Sequence, residues 1–162
     1  MGKKLYKELR ELRKQNEEKY IKFSRLRGFL NDYKRFFKEE KSLEAIKEIE
    51  EFVERLRNEL REEFNKADLM ERNLHKSCEH EVLIKWKKDH GYTCFLCGRG
   101  FNTDNPKVKN ASLLIDNLKE DNYKDVMQGL RDELIDNDQD IVEGVIEKIR
   151  VINDGKVLIY RR

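Results

Sequence analysis

The chain has 162 residues, 35 of them Lys or Arg and 33 Asp or Glu, for a formal net charge of +2. Charged residues make up 42%, against roughly 25% in an ordinary globular chain, which indicates long solvated helices over thin cores. Disorder and a membrane span are both excluded. Leu, Ile, Val and Phe number 45, about 28% against a floor of about 20% for a collapsed chain. The longest stretch without Lys, Arg, Asp or Glu is the nine residues His90–Gly98, half of the about 18 that a span needs.

Charge is uneven along the chain. Residues 3–38 carry a net of +8, residues 42–74 a net of −4, residues 75–110 a net of +3 and residues 111–162 a net of −4. The first segment repeats in sevens: Leu9, Asn16, Phe23, Leu30 and Phe37 alternate with Leu5, Leu12, Lys19, Leu26 and Tyr33. The 4-3 spacing puts all ten on one stripe of a helix. Asn16 and Lys19 are polar residues inside that seam, where such residues set register in coiled coils. The second segment repeats likewise, with Ile46, Val53, Leu60, Ala67 and Leu74 alternating with Ile49, Leu56, Glu63 and Met70. Ser42 is a candidate N-cap, with Glu44 in the first turn. The break at 39–42 leaves room only for a tight reversal, so the segments predict a long antiparallel helical hairpin, a coiled coil of a basic and an acidic helix. The alternative is one continuous helix of about 70 residues in a parallel dimer.

Next comes the strongest chemical signal, Cys78-x-His80, thirteen residues, then Cys94-x-x-Cys97-Gly98. Three thiolates and an imidazole suit tetrahedral Zn²⁺, a closed structural shell. In an extended strand, residues two apart face the same side, so Cys78 and His80 can converge on one ion, and the same parity continues through Val82, Ile84 and Trp86. Residues 87–91 then turn the chain, and Gly98 can take the left-handed conformation that the second corner needs. His75 is an alternative ligand through His75-x-x-Cys78, and His90 falls in the turn. The hairpin with its knuckle resembles zinc-ribbon and treble-clef modules over about residues 78–101. A helical hairpin beside a zinc module is also similar to regulators that reach into RNA polymerase, although those usually carry two Cys-x-x-Cys pairs. A deaminase-type catalytic zinc would need His-x-Glu and Pro-Cys-x-x-Cys. Here Glu81 follows His80 directly and Thr93 precedes Cys94, so the zinc is read as structural.

The single proline, Pro106, lies in a linker over 102–110. Short helices are predicted near 112–120, 123–135 and 139–152, the last capped by Asp138. A turn at Asn153-Asp154-Gly155 and a terminal strand over 156–162 follow. Asp136, Asp138, Asp140 and Glu147 occupy calcium-loop positions 1, 3, 5 and 12, but Ile141 replaces the glycine of position 6. The acidic turn reads instead as a helix cap.

The expected fold class is mostly α, with a helical hairpin arm over 1–74, a zinc-bound β-hairpin over 75–104 and C-terminal helices plus a strand over 105–162. The start lacks the apolar core of a signal peptide, and Tyr6 stands where a myristoylation pattern wants Ser or Thr. Together with an odd number of cysteines this points to a reduced, cytoplasmic protein away from membranes. No Gly-rich phosphate loop or Ser-His-Asp arrangement is present. The expected function is a non-enzymatic zinc-containing adaptor or regulator that binds a protein partner through its arm, and a homodimer through the coiled coil is compatible with the stripe. The alternative is nucleic-acid binding: Lys3, Lys7, Arg10 and Lys14 share a face of the basic helix, and Lys85, Lys87, Lys88 and Arg99 flank the metal motif. An enzyme with its site beside the C-terminal helices is the third reading.

Overall fold

The computed structural model describes residues 2–36, 40–86, 91–102, 113–118, 120–152 and 159–161. It is mostly helical: α1 (Gly2–Phe36), α2 (Glu40–Ser77), α3 (Glu120–Asp136) and α4 (Ile141–Ile152), with strands β1 (Val82–Trp86), β2 (Tyr92–Cys94), β3 (Gly100–Phe101), β4 (Leu113–Leu118) and β5 (Ile159–Arg161). The chain divides into two compact units, Glu8–Glu71 on the one hand and Met1–Lys7 with Arg72–Arg162 on the other.

The first unit is the hairpin. Ion pairs join Arg13 to Glu71, Lys19 to Glu63 and Lys34 to Glu50. The residue numbers of each pair add to 82 or 84, which is the signature of an antiparallel register. That register brings together the residues of the two heptad stripes. Phe23, Leu30, Ile46, Val53 and Leu60 form one buried cluster, with Leu26, Tyr33, Ile49 and Leu56 packed against it. One heptad position is buried along each helix: Leu9, Asn16, Phe23 and Leu30 on α1, and Ile46, Val53, Leu60, Ala67 and Leu74 on α2. The two polar positions of α1 meet different fates. Lys19 finds Glu63. Asn16 falls opposite Ala67 in register, is 1% exposed, and has no hydrogen-bond partner for Oδ1 or Nδ2. α2 begins at Glu40 rather than after Ser42, so Ser42 lies within the helix and is not its cap.

The second unit is built on a five-stranded mixed sheet of order β3-β2-β1-β4-β5, in which β1 and β4 run parallel and the other pairs antiparallel. The sheet takes strands from both sides of the boundary expected at residue 104. β4 replaces the helix expected over 112–120. Leu113, Leu114 and Ile115 are at most 8% exposed, and an apolar run covered on both faces is what a central parallel strand requires. Val82 and Ile84 of β1 and Leu113 and Ile115 of β4 form one core with Phe95, with Met127, Leu130 and Leu134 of α3, and with Ile141, Val145, Ile146 and Ile149 of α4. The spacing of three and four on each helix places these residues on one stripe. α4 is capped by Asp140, whose Oδ1 accepts the Glu143 N–H at 2.9 Å, and not by Asp138, which takes a left-handed φ of 54°. The expected linker over 102–110 and the turns at 87–90 and 153–155 lie almost entirely outside the described residues.

Candidate metal centre

Two backbone corners assemble the centre. α2 ends beside the first: the Cys78 N–H still donates to the Leu74 carbonyl at 2.9 Å, continuing the helical pattern. Two residues later His80 adopts φ 57°, a left-handed conformation that costs a non-glycine residue about 1 kcal/mol. β1 begins only at Val82. Cys78 and His80 are therefore brought together by a helix end and a left-handed turn, not by the alternation of one strand. The sheet register also separates the site from the main core. Cys94 pairs with Leu83, so it faces the side of the sheet opposite Val82 and Ile84.

The second corner is a tight knuckle. The Gly98 N–H donates to the Cys94 carbonyl and the Cys94 N–H to the Arg99 carbonyl, both at 2.9 Å. Gly98 has φ 74°, where a side chain would be strained. His75 takes no place among the donor atoms: its Nε2 lies 3.0 Å from the Cys97 carbonyl oxygen, so it braces the knuckle from α2.

Between the corners the donor atoms of Cys78, His80, Cys94 and Cys97 all lie within 4.8 Å of one another, and all four residues are buried. Cys78 Sγ is 3.7 Å from Cys94 Sγ, and Cys97 Sγ is 3.5 Å from His80 Nδ1. The His80 ring is held edge-on against Phe101, with centroids 5.2 Å apart. These residues can hold a metal ion. Hydrogen bonds with Cys78 and then Cys97 lower the Cys94 thiol to about 3. The bond with Cys94 pushes the Cys78 thiol up, and bonds with Cys78 and then Cys94 push the Cys97 thiol up, with burial adding to both. A cation would relieve this competition, because it lets all three sulfurs be thiolates at once.

Comparison with known proteins finds no match. No family model, no characterised protein and no solved structure matches the chain.

Beside the 78–82 segment a cleft of about 380 Å³ is lined by Lys3, Lys4, Glu79, Glu81 and Asp138 among others. Burial raises the Glu81 carboxyl above its usual range, and the neighbouring Glu79 carboxylate adds to this. Several of the residues considered for nucleic acid have partners within the protein. Lys3 Nζ donates to the Gln139 carbonyl at 2.6 Å and lies 3.6 Å from Asp138, and Lys7 Nζ is 3.5 Å from the Asp136 carbonyl. Arg10 is half-buried and Lys14 exposed. Lys85 sits over the Tyr92 ring and Arg99 over the Phe101 ring. Lys87, Lys88 and His90 lie outside the described residues. Asp136, Asp138 and Asp140 form the turn before α4, where Asp138 meets Lys3 and Asp140 caps the helix. Among the described residues no helix is long and apolar enough to cross a membrane.

The sequence named His80 and His75 as ligand candidates but did not show the backbone conformation of the one or the bracing role of the other. The left-handed turn at His80 carries little sequence signal: histidine is enriched at positive φ relative to most residues, but only a few per cent of non-glycine residues adopt it. The Cys97 carbonyl gave His75 an alternative that thinking in terms of ligands alone does not supply.

Proposed function

We propose that this chain is a non-enzymatic, zinc-stabilised adaptor that engages a protein partner through its coiled-coil arm. The observation that carries the reading is the closed donor set. Four buried ligand atoms leave no position for a water or a substrate, which is the arrangement of structural rather than catalytic zinc. The spacing is compatible with a tetrahedral zinc ion. Tetrahedral geometry with Zn–S near 2.3 Å and Zn–N near 2.05 Å implies S···S of about 3.8 Å and S···N of about 3.6 Å. The contacts of 3.7 Å and 3.5 Å are close to both. A Cys₃His set also suits zinc better than the hard cations, which prefer oxygen.

The arm supports the second half of the reading. It exposes Phe29, Phe36 and Phe52, each more than 40% accessible, and exposed aromatic residues are enriched at interaction surfaces.

The test has two parts. Native mass spectrometry should find one zinc per chain, lost on Cys94→Ser. Anisotropy of the zinc-loaded protein with single- and double-stranded DNA and RNA, at about 50 and 200 mM salt, should show no binding. Affinity that falls steeply with salt, as phosphate contacts require, would replace the adaptor with a nucleic-acid-binding protein. Zinc held with an exchangeable water would overturn the structural assignment.

A further inference from the structure

The hairpin has two edges flanking its seam. On one, Arg13 meets Glu71 and Lys34 meets Glu50. These residues each lie four positions after a buried seam residue. The residues one position before the seam project from the opposite edge: Lys22, Phe29 and Phe36 on α1, and Ala45, Phe52 and Glu59 on α2. The antiparallel register sets Phe29 level with Phe52. These two and Phe36 are 57%, 46% and 72% exposed, and the Phe29 ring leans on Tyr33 with centroids 5.9 Å apart.

The charges around this aromatic layer are ordered. On one side of it stand Arg25 and Arg55, the latter 5.9 Å over the Phe52 ring. On the other side, one heptad nearer the hairpin tip, stand Asp32 and Glu48. All four are exposed, and among the described residues none of them has an ion-pair partner. Both helices thus carry a basic layer, an aromatic layer and an acidic layer in the same spatial order.

A pattern that is positive on one side of its centre and negative on the other is complementary to itself after a half-turn. We infer that this edge is a self-association surface: two copies of the chain pack antiparallel about a two-fold axis through the Phe29–Phe52 layer. The aromatic layers then stack on each other. The Arg25 and Arg55 layer of each copy faces the Asp32 and Glu48 layer of the second copy, and Phe36 comes level with Lys22 and Glu59 of the second copy. A parallel arrangement would instead set arginine against arginine and carboxylate against carboxylate, which is unfavourable. The area fits as well. Three aromatic side chains of about 150–250 Å² each, with these exposures, offer on the order of 300–400 Å². That is about half of the roughly 800 Å² per partner in a standard interface, and the apolar share of such interfaces is about 56–65%. This inference names a partner for the arm, yet it stands apart from the zinc assignment and survives if that fails.

Sedimentation equilibrium of the full zinc-loaded chain over about 1–200 μM tests it. The expected result is a monomer–dimer equilibrium between 19.6 kDa and twice that mass. Phe29→Ser with Phe52→Ser should weaken it by about 30-fold or more, the loss that a hot-spot residue brings, without changing helicity by circular dichroism. The charge layers give a second test that spares the hydrophobic groups. Arg25→Glu with Arg55→Glu makes one all-acidic variant, and Asp32→Arg with Glu48→Arg makes one all-basic variant. Each alone should be monomeric, and an equimolar mixture should form heterodimers. A wild-type chain that stays monomeric throughout overturns the inference, as does a heterodimer mixture that shows no gain over the separate variants.

Discussion

Replacing Asn16 with leucine should stabilise the arm. Asn16 is 1% exposed with neither polar atom partnered, and leaving a buried polar group unsatisfied costs about 1–3 kcal/mol. Leucine removes that cost and adds apolar burial worth about 1.5–3 kcal/mol. The site has room for it, because the register places Ala67 opposite. Rotamer entropy and imperfect packing offset part of the gain, so a net of about 2–3 kcal/mol is expected. Urea unfolding followed by circular dichroism at 222 nm should show a higher midpoint with unchanged slope, since the surface exposed on unfolding is nearly the same. Asn16→Ala supplies the control: it removes the same polar atoms but leaves a void facing another alanine, and should gain less. An Asn16→Leu variant less stable than the wild type would refute the reasoning, because it would mean that Asn16 is satisfied in solution by a group or a water the packing argument leaves out.

Three further outcomes follow from the second unit. Cys94→Ser, or stripping zinc with a chelator, should remove a binding free energy on the order of 10 kcal/mol, comparable with the whole stability of a small domain. Near-ultraviolet dichroism and melting of the sheet unit should therefore collapse while most helicity of the arm persists, and an unchanged melt would show that the ion is dispensable. Gly91→Ala should lower stability by about 1–3 kcal/mol and weaken metal binding. An added Cβ would lie 2.1 Å from the Phe101 carbonyl oxygen, so strand β3 must move and the knuckle between β2 and β3 with it; wild-type metal affinity would count against this. Glu81→Gln should stabilise the protein at pH 7–8 and have no effect near pH 3. Burial raises the Glu81 carboxyl in the folded state, so the folded protein binds more protons than the unfolded chain, and stability declines as pH rises from the ordinary carboxyl range through the raised value. Melting curves of both proteins across pH decide it, and a gap that widens toward acid would reverse the sign.

The donor set was legible in the sequence and its backbone was not. Cys78, His80, Cys94 and Cys97 are recognisable from residue type and spacing, because few side chains offer soft donors and short spacings confine them to one place. Spacing does not specify how two residues converge. A strand and a helix end followed by a left-handed residue both bring positions 78 and 80 together, and the chain uses the second. The error at 112–120 has a related origin. Leu113-Leu114-Ile115 is a short apolar run, and such a run carries no period that separates a buried strand from a buried helix. Its identity comes from β1, a partner some thirty residues away, whose hydrogen-bonding edge it fills.

The choice between a hairpin and a parallel dimer is not fixed by the polar residues of the seam. In a parallel homodimer each seam residue meets its own copy: Asn16 would pair with Asn16, but Lys19 would face Lys19 and Glu63 would face Glu63. In the hairpin Lys19 meets Glu63 Oε1, and the loss falls on Asn16 and on Glu63 Oε2, which is buried without a hydrogen-bond partner. Two like-charge contacts at seam positions are thus exchanged for one attractive pair, one unsatisfied amide and one unpartnered carboxylate oxygen. A partly buried ion pair gains at least a few tenths of a kcal/mol, and each avoided like-charge contact saves a comparable amount. The unsatisfied amide costs about 1–3 kcal/mol, so these pairs alone leave the two arrangements nearly balanced. The balance is decided by the apolar layers, which the constant register fills with Phe23, Leu30, Val53 and Leu60 in one cluster, and by connectivity. The hairpin closes within one chain, while a dimer must also overcome the loss of translational freedom on association. Asn16→Leu should therefore tilt the equilibrium further toward the hairpin, since it removes the one seam residue that would gain from the parallel pairing.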